Sequence, residues 1–126
     1  MQQLLSNPEK PVVLIVEDEP LIRWNAVDIL GQAGWQPLEA ADADAALTIL
    51  AQNPSVTVLF TDVNMPGVIN GLELAEQVHL SHPAIQIVIT SGKGTVSANR
   101  IPRHGTFLPK PYDLDDLVKV LAAKVT

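Results

Sequence analysis

Apolar runs of four to six residues recur along the chain, and between them apolar residues return every three or four positions. Val12–Val16 is continuous and β-branched, as in a parallel strand covered on both faces. Pro20 suits the first turn of a helix, where its missing N–H would be an orphan anyway. Ile22, Ala26, Ile29, Leu30 and Ala33 then follow at helical spacing, and Gly34 is a stop. Trp35–Ala40 reads as a second strand. Asp42 caps a second helix through Ala45, Ala46, Ile49 and Leu50, ended by Asn53-Pro54. Val56–Thr61 is a third strand. Gly71–Leu80 is a third helix on Leu72, Leu74, Ala75 and Val78, closed by His82-Pro83. Ile85–Thr90 and Thr106–Leu108 are the fourth and fifth strands. Between them Ser91–Gly105 is rich in Gly, Ser and Pro, so a helix there is expected to be short, around Val96–Arg100. Asp113 caps a final helix through Leu114, Leu117, Val118, Val120 and Leu121. Strict alternation predicts an α/β fold, a doubly wound five-stranded parallel sheet with helices on both faces. In such sheets sites form at the carboxyl ends of the strands.

Composition narrows the classes without altering that picture. The 126 residues make one domain with a real core, and 47% apolar with 17% charged residues is ordinary globular usage. The longest aliphatic run is about five residues, far short of the ~20 that span a bilayer. Residues 1–10 read as a polar lead-in without the marks of a signal peptide. The absence of cysteine removes thiolate and disulfide chemistry and fits a cytoplasmic protein. A net charge of −6 argues against a nucleic-acid partner, which requires clustered Lys and Arg, and is compatible with a divalent cation.

The strand ends carry the chemistry. Val12–Val16 runs into Glu17-Asp18, Val56–Thr61 into Asp62, the fourth strand ends on Thr90, and Lys110 follows the fifth. Three carboxylates brought to one sheet edge repel one another. A hard cation with few protein ligands resolves the repulsion, and Mg2+ fits. A lysine and a hydroxyl beside the same acid suit a transferred phosphoryl group, with Asp62 as the nucleophile that becomes an aspartyl phosphate.

With these residues in hand, the chain resembles the response-regulator receiver domain of two-component signalling. The matching pieces are Val16-Glu17-Asp18-Glu19-Pro20, Thr61-Asp62-Val63-Asn64-Met65-Pro66, Thr90-Ser91-Gly92 and Phe107-Leu108-Pro109-Lys110-Pro111-Tyr112, in family order. The resemblance implies a flavodoxin-like (βα)5 fold over residues 11–126. It implies Asp62 as phosphoacceptor, and Asp18, Asp62 and the backbone carbonyl of Asn64 as Mg2+ ligands, with Glu17 acting through a water. It further implies Thr90 bonding a phosphoryl oxygen, Lys110 neutralising another, Phe107 at the aromatic switch position and a cis bond before Pro111. The implied partners are a sensor histidine kinase or histidine phosphotransfer protein and a downstream protein target. The domain would catalyse only its own modification and its slow reversal, so it is not expected to be an enzyme.

Departures from the family pattern set further expectations. Phe107 lacks a phenolic hydroxyl, the loop from Met65 to Asn70 is about one residue longer than common, and Thr90–Lys110 is about two residues shorter and contains Pro102. The helix between the fourth and fifth strands is therefore expected to be short or irregular, as in a receiver subset common in alphaproteobacteria. A phosphorylation-independent interaction module is the alternative. A phosphatase of another α/β class would want a second acid where Asn64 stands. The end of the chain near Thr126 suggests a stand-alone regulator or an excised receiver, and Met1 with its lead-in favours a stand-alone or N-terminal module. Elsewhere, Trp24 and Trp35 are expected to pack locally, Trp24 being a possible kinase contact. His79, His82 and His104 are expected to be exposed, Glu19, Asp113, Asp115 and Asp116 to serve helix dipoles, and Asn70-Gly71 to form a turn.

Overall fold

Five parallel strands form one sheet: β1 (Val12–Val16), β2 (Gln36–Ala40), β3 (Val56–Asp62), β4 (Gln86–Ser91) and β5 (Thr106–Pro109), in the order β2-β1-β3-β4-β5. The computed structural model describes residues 10–65, 67–92, 100–103 and 105–125. Four helices join and flank the strands: α1 (Pro20–Gln32), α2 (Ala43–Gln52), α3 (Gly71–Ser81) and α4 (Leu114–Ala123). The lead-in before Lys10 and most of the expected short helix around 96–100 lie outside the described residues. None of the described helices is long and apolar enough to cross a membrane.

Side chains alternate across the sheet, so each strand feeds two cores. Val12, Leu14 and Val16 pack with Leu59, Ala46, Leu50, Leu74 and Val78 on the side of α2 and α3. Val13 and Ile15 pack with Val58, Phe60, Val88, Ala26, Leu30, Leu117 and Leu121 on the side of α1 and α4. Burial on both faces explains the unbroken apolar runs of β1 and β3. Pro37 is tolerated because β2 is an edge strand, where a missing N–H costs no ladder bond.

Local signals explain the helix ends. Pro20 opens α1, and Gly34, with φ of 100°, lies beyond its last turn. Asp42 caps α2 by accepting from the Ala45 N–H at 2.8 Å, and Asp113 caps α4 by accepting from the Asp115 N–H at 2.9 Å. Asn70-Gly71 is more than a turn. Asn70 caps α3 in a reciprocal box, its side chain accepting from the Glu73 N–H at 3.0 Å while Glu73 accepts from the Asn70 N–H at 2.9 Å. Trp35 packs into the α1–α4 core, just ahead of β2. Trp24, by contrast, is 55% exposed. It lies two residues from buried Ala26, on the far side of a helix with 3.6 residues per turn. His79 is half-buried and His82 exposed; His104 is outside the described residues.

Candidate functional site

The strand register assembles the site. Val16 pairs with Thr61 across β1 and β3, so Glu17 and Asp62 follow side by side. Asp62 pairs with Thr90 across β3 and β4, and Ser91 pairs with Pro109 across β4 and β5, which sets Lys110 beyond the same edge. Strand order reverses between β1 and β3, where a doubly wound sheet opens a crevice.

Glu17 and Asp62 are each only 4% exposed. Lys110 Nζ donates to Glu17 Oε1 at 2.8 Å and to Asp62 Oδ2 at 3.0 Å. The remaining carboxylate oxygens are served by the backbone: Glu17 Oε2 accepts from the Glu19 N–H at 3.1 Å, and Asp62 Oδ1 accepts from the Asn64 N–H at 3.2 Å. Asp18 is exposed at the rim. The Lys110–Pro111 peptide bond is cis.

Three carboxylates thus face one ammonium group. Oxygens of Glu17, Asp18 and Asp62 lie within 4.8 Å of one another. Burial pushes the Glu17 carboxyl above its ordinary value, the Asp62 charge adds to this, and Lys110 and the Glu19 N–H oppose it. Burial alone would lower Lys110, but its hydrogen bonds to Glu17 and Asp62 outweigh that and raise it. The single ammonium leaves negative charge over, and the donor set is all oxygen. Both properties fit a hard divalent cation.

Thr90 faces the same edge, and its Oγ1 is the one buried side-chain polar atom without a hydrogen-bond partner among the described residues. A buried hydroxyl left unpaired is costly, and a ligand oxygen at the pocket would satisfy it. Beside it, Asn64 Nδ2 donates to Ser91 Oγ at 3.2 Å. Phe107, one residue along β5 from the register partner of Thr90, packs half-buried against Leu72, Ala75, Ile87 and Ile89.

Three contributors were missed by sequence reasoning. Gly71 opens α3 so close to β3 that a Cβ there would overlap the Asp62 carbonyl. Arg23 on α1 donates from Nη1 to the Glu17 carbonyl at 2.8 Å and from Nε to Glu39 Oε1 at 2.9 Å. Tyr112 packs edge-on against Phe60, with ring centroids 5.7 Å apart. Burial, then the Glu17 charge, push its phenol up to about 12. None of these three left a readable sequence signal, whereas the Asn70 cap of α3 did, through Glu73 three residues on. A groove of about 430 Å3, lined by Ile22, Asn25, Pro111, Tyr112 and Leu114, opens beside Lys110.

Residues 13–122 match the family profile described as the response regulator receiver domain. The nitrogen assimilation regulatory protein NtrX of Azorhizobium caulinodans is 35% identical over 113 residues, covering 86% of this chain and 24% of that protein. A putative NtrX-like response regulator of Rickettsia bellii is 36% identical over 120 residues, 90% of this chain and 25% of that protein. The chain therefore spans about a quarter of the length of these curated relatives. Among solved structures, the receiver domain of NtrX from Brucella abortus superimposes with a TM-score of 0.82 at 30% identity, covering 90% of this chain and 97% of that one. The receiver domain of the hybrid histidine kinase CckA does so with a TM-score of 0.78 at 33% identity, over 91% and 99%.

Proposed function

The chain belongs to the response regulator receiver domain family of two-component signalling, and on that premise we propose that it is a phosphorylatable switch with Asp62 as the acceptor. The observation that carries this reading is the buried Asp62 carboxylate, tethered by Lys110 beside two further acids at the sheet edge.

In the proposed reaction an Asp62 carboxylate oxygen attacks phosphorus of a phosphohistidine on a sensor kinase or phosphotransfer protein. The new O–P bond forms as the P–N bond breaks, and the electron pair leaves with the donor imidazole. Lys110, already hydrogen-bonded to Asp62 Oδ2, neutralises a phosphoryl oxygen as charge shifts onto it. Thr90, whose hydroxyl lacks a partner, donates to another. Asp18, Asp62 and the Asn64 carbonyl would hold Mg2+, with Glu17 behind them. When bound, Mg2+ supplies the positive charge that offsets the crowded acids and the phosphoryl oxygens. Recruitment of Thr90 draws on β4, and Phe107 on adjacent β5 follows, altering the surface offered to a downstream protein. The groove beside Lys110, with exposed Leu21 and Trp24 nearby on α1, is the surface proposed for the phosphodonor. The chain so acts on itself, through phosphorylation and slow hydrolysis, and turns over no separate substrate.

Acetyl phosphate with Mg2+ tests the proposal directly. Intact-mass measurement should show a gain of one phosphoryl group on the unchanged chain and none on Asp62→Asn. No gain on either would favour the phosphorylation-independent interaction module, and a gain surviving Asp62→Asn would put the acceptor elsewhere.

A further inference from the structure

Arg23 has no part in the chemistry described above, yet its side chain is only 14% exposed and is engaged at two points. Nη1 holds the Glu17 carbonyl and Nε holds the Glu39 carboxylate. Glu39 lies on β2 as the register partner of Ile15, so one side chain from the second turn of α1 ties the end of β1 to its neighbouring edge strand. The Glu17 N–H completes the seam by donating to the Ala40 carbonyl at 3.1 Å.

The two acids after β1 are held differently. The Glu17 carboxylate is fixed directly, by Lys110 and by the Glu19 N–H. The Asp18 carboxylate is exposed and has no hydrogen-bond partner of its own among the described residues. Its direction therefore comes from its backbone. The peptide unit is planar, so holding the Glu17 carbonyl also fixes the plane that leads into the Asp18 Cα.

We propose that Arg23 is a positioning residue for the acidic pocket, clamping the Glu17–Asp18 peptide so that Asp18 is aimed at the cation. This rests on the Mg2+ reading of the site. Arginine suits the task because its rigid fork presents separate nitrogens to a carbonyl and a carboxylate at once, whereas a lysine would have to reach both from one nitrogen on a flexible stem. Glu39 keeps the fork in place and needs only an acceptor oxygen to do so.

Calorimetric titration of the full chain with Mg2+, paired with Tm in metal-free buffer, tests the proposal. Residues that orient metal ligands typically change affinity by about 10–100-fold. Arg23→Met is expected to raise the Mg2+ Kd by about tenfold, at the lower end of that range. Arg23→Lys should recover part of this, to within about threefold of the unchanged chain, because the ammonium can still donate to the Glu17 carbonyl but lacks the rigid fork that fixes its direction. Glu39→Gln, which keeps an acceptor oxygen, should stay within about twofold. A role confined to folding would lower Tm and leave the Kd of the folded protein unmoved. An unchanged Kd in both Arg23 variants would thus overturn the proposal, and if Arg23→Met does not fold, an unchanged Kd in Arg23→Lys does so alone. An unchanged chain that binds no Mg2+ would instead overturn the functional reading on which the proposal stands.

Discussion

From Val12 to Val16 every side chain of β1 is apolar and buried, and one residue later Glu17 is just as buried but carries a carboxylate. β3 makes the same change between Phe60 and Asp62. Below that boundary the strands are held by packing, which is non-directional and scales with the area removed from water. Above it, the carboxylates are held by one ammonium group and two backbone N–H groups, each specific in direction. The interior can exchange one apolar residue for another of similar volume at modest cost. The strand ends have no such latitude, because removing one partner strands the others.

The sharpest break of this contrast is on the packed side. Leu59, fully buried between the sheet and α2–α3, should cost about 2–5 kcal/mol when changed to Ala. Urea denaturation checks this, and a cost under about 1 kcal/mol would mean the site collapses around the missing atoms. On the polar side, Lys110→Met leaves two buried carboxylates without their shared cation, an expected loss of about 1–3 kcal/mol in metal-free buffer. Unlike the core loss, this one should shrink when Mg2+ is added, since the cation substitutes for the ammonium charge; equal Tm shifts with and without Mg2+ would count against that.

The smallest effect reads the boundary itself. Tyr112 is the only tyrosine, so phenolate absorbance reports its titration alone. Its folded value of about 12 lies above the ordinary 10.0. Between these values the folded chain keeps a proton that the unfolded chain has lost, so stability falls as pH rises through that window. The folded protein should titrate near the higher value and the denatured protein near the lower. A folded midpoint near the ordinary value would show that Tyr112 is neither buried nor within reach of the Glu17 charge.

Much of this was legible in the residues because local rules and the global fold agree. The apolar runs Val12–Val16 and Val56–Thr61, and the caps Asp42 and Asp113, each announce one element. The acids that follow those runs reach a common edge once the sheet is parallel. Asn70 is readable too, since Glu73 three positions on is the partner that a capping box requires. Arg23 was not readable, because its partners lie on the end of β1 and on β2, sixteen residues away in the case of Glu39, and no periodicity encodes such a contact. Trp24 could not be settled by its residue type, since an indole on α1 packs or projects according to which face Ala26 and Leu30 take.

Gly71 carries a mechanical implication. Its Cα sits where any side chain would collide with the Asp62 carbonyl, and its N–H donates to the Val63 carbonyl at 3.0 Å. The first turn of α3 is therefore seated on the backbone of Asp62 with no slack between them. Any displacement of Asp62 along its strand would therefore bear directly on the start of that helix.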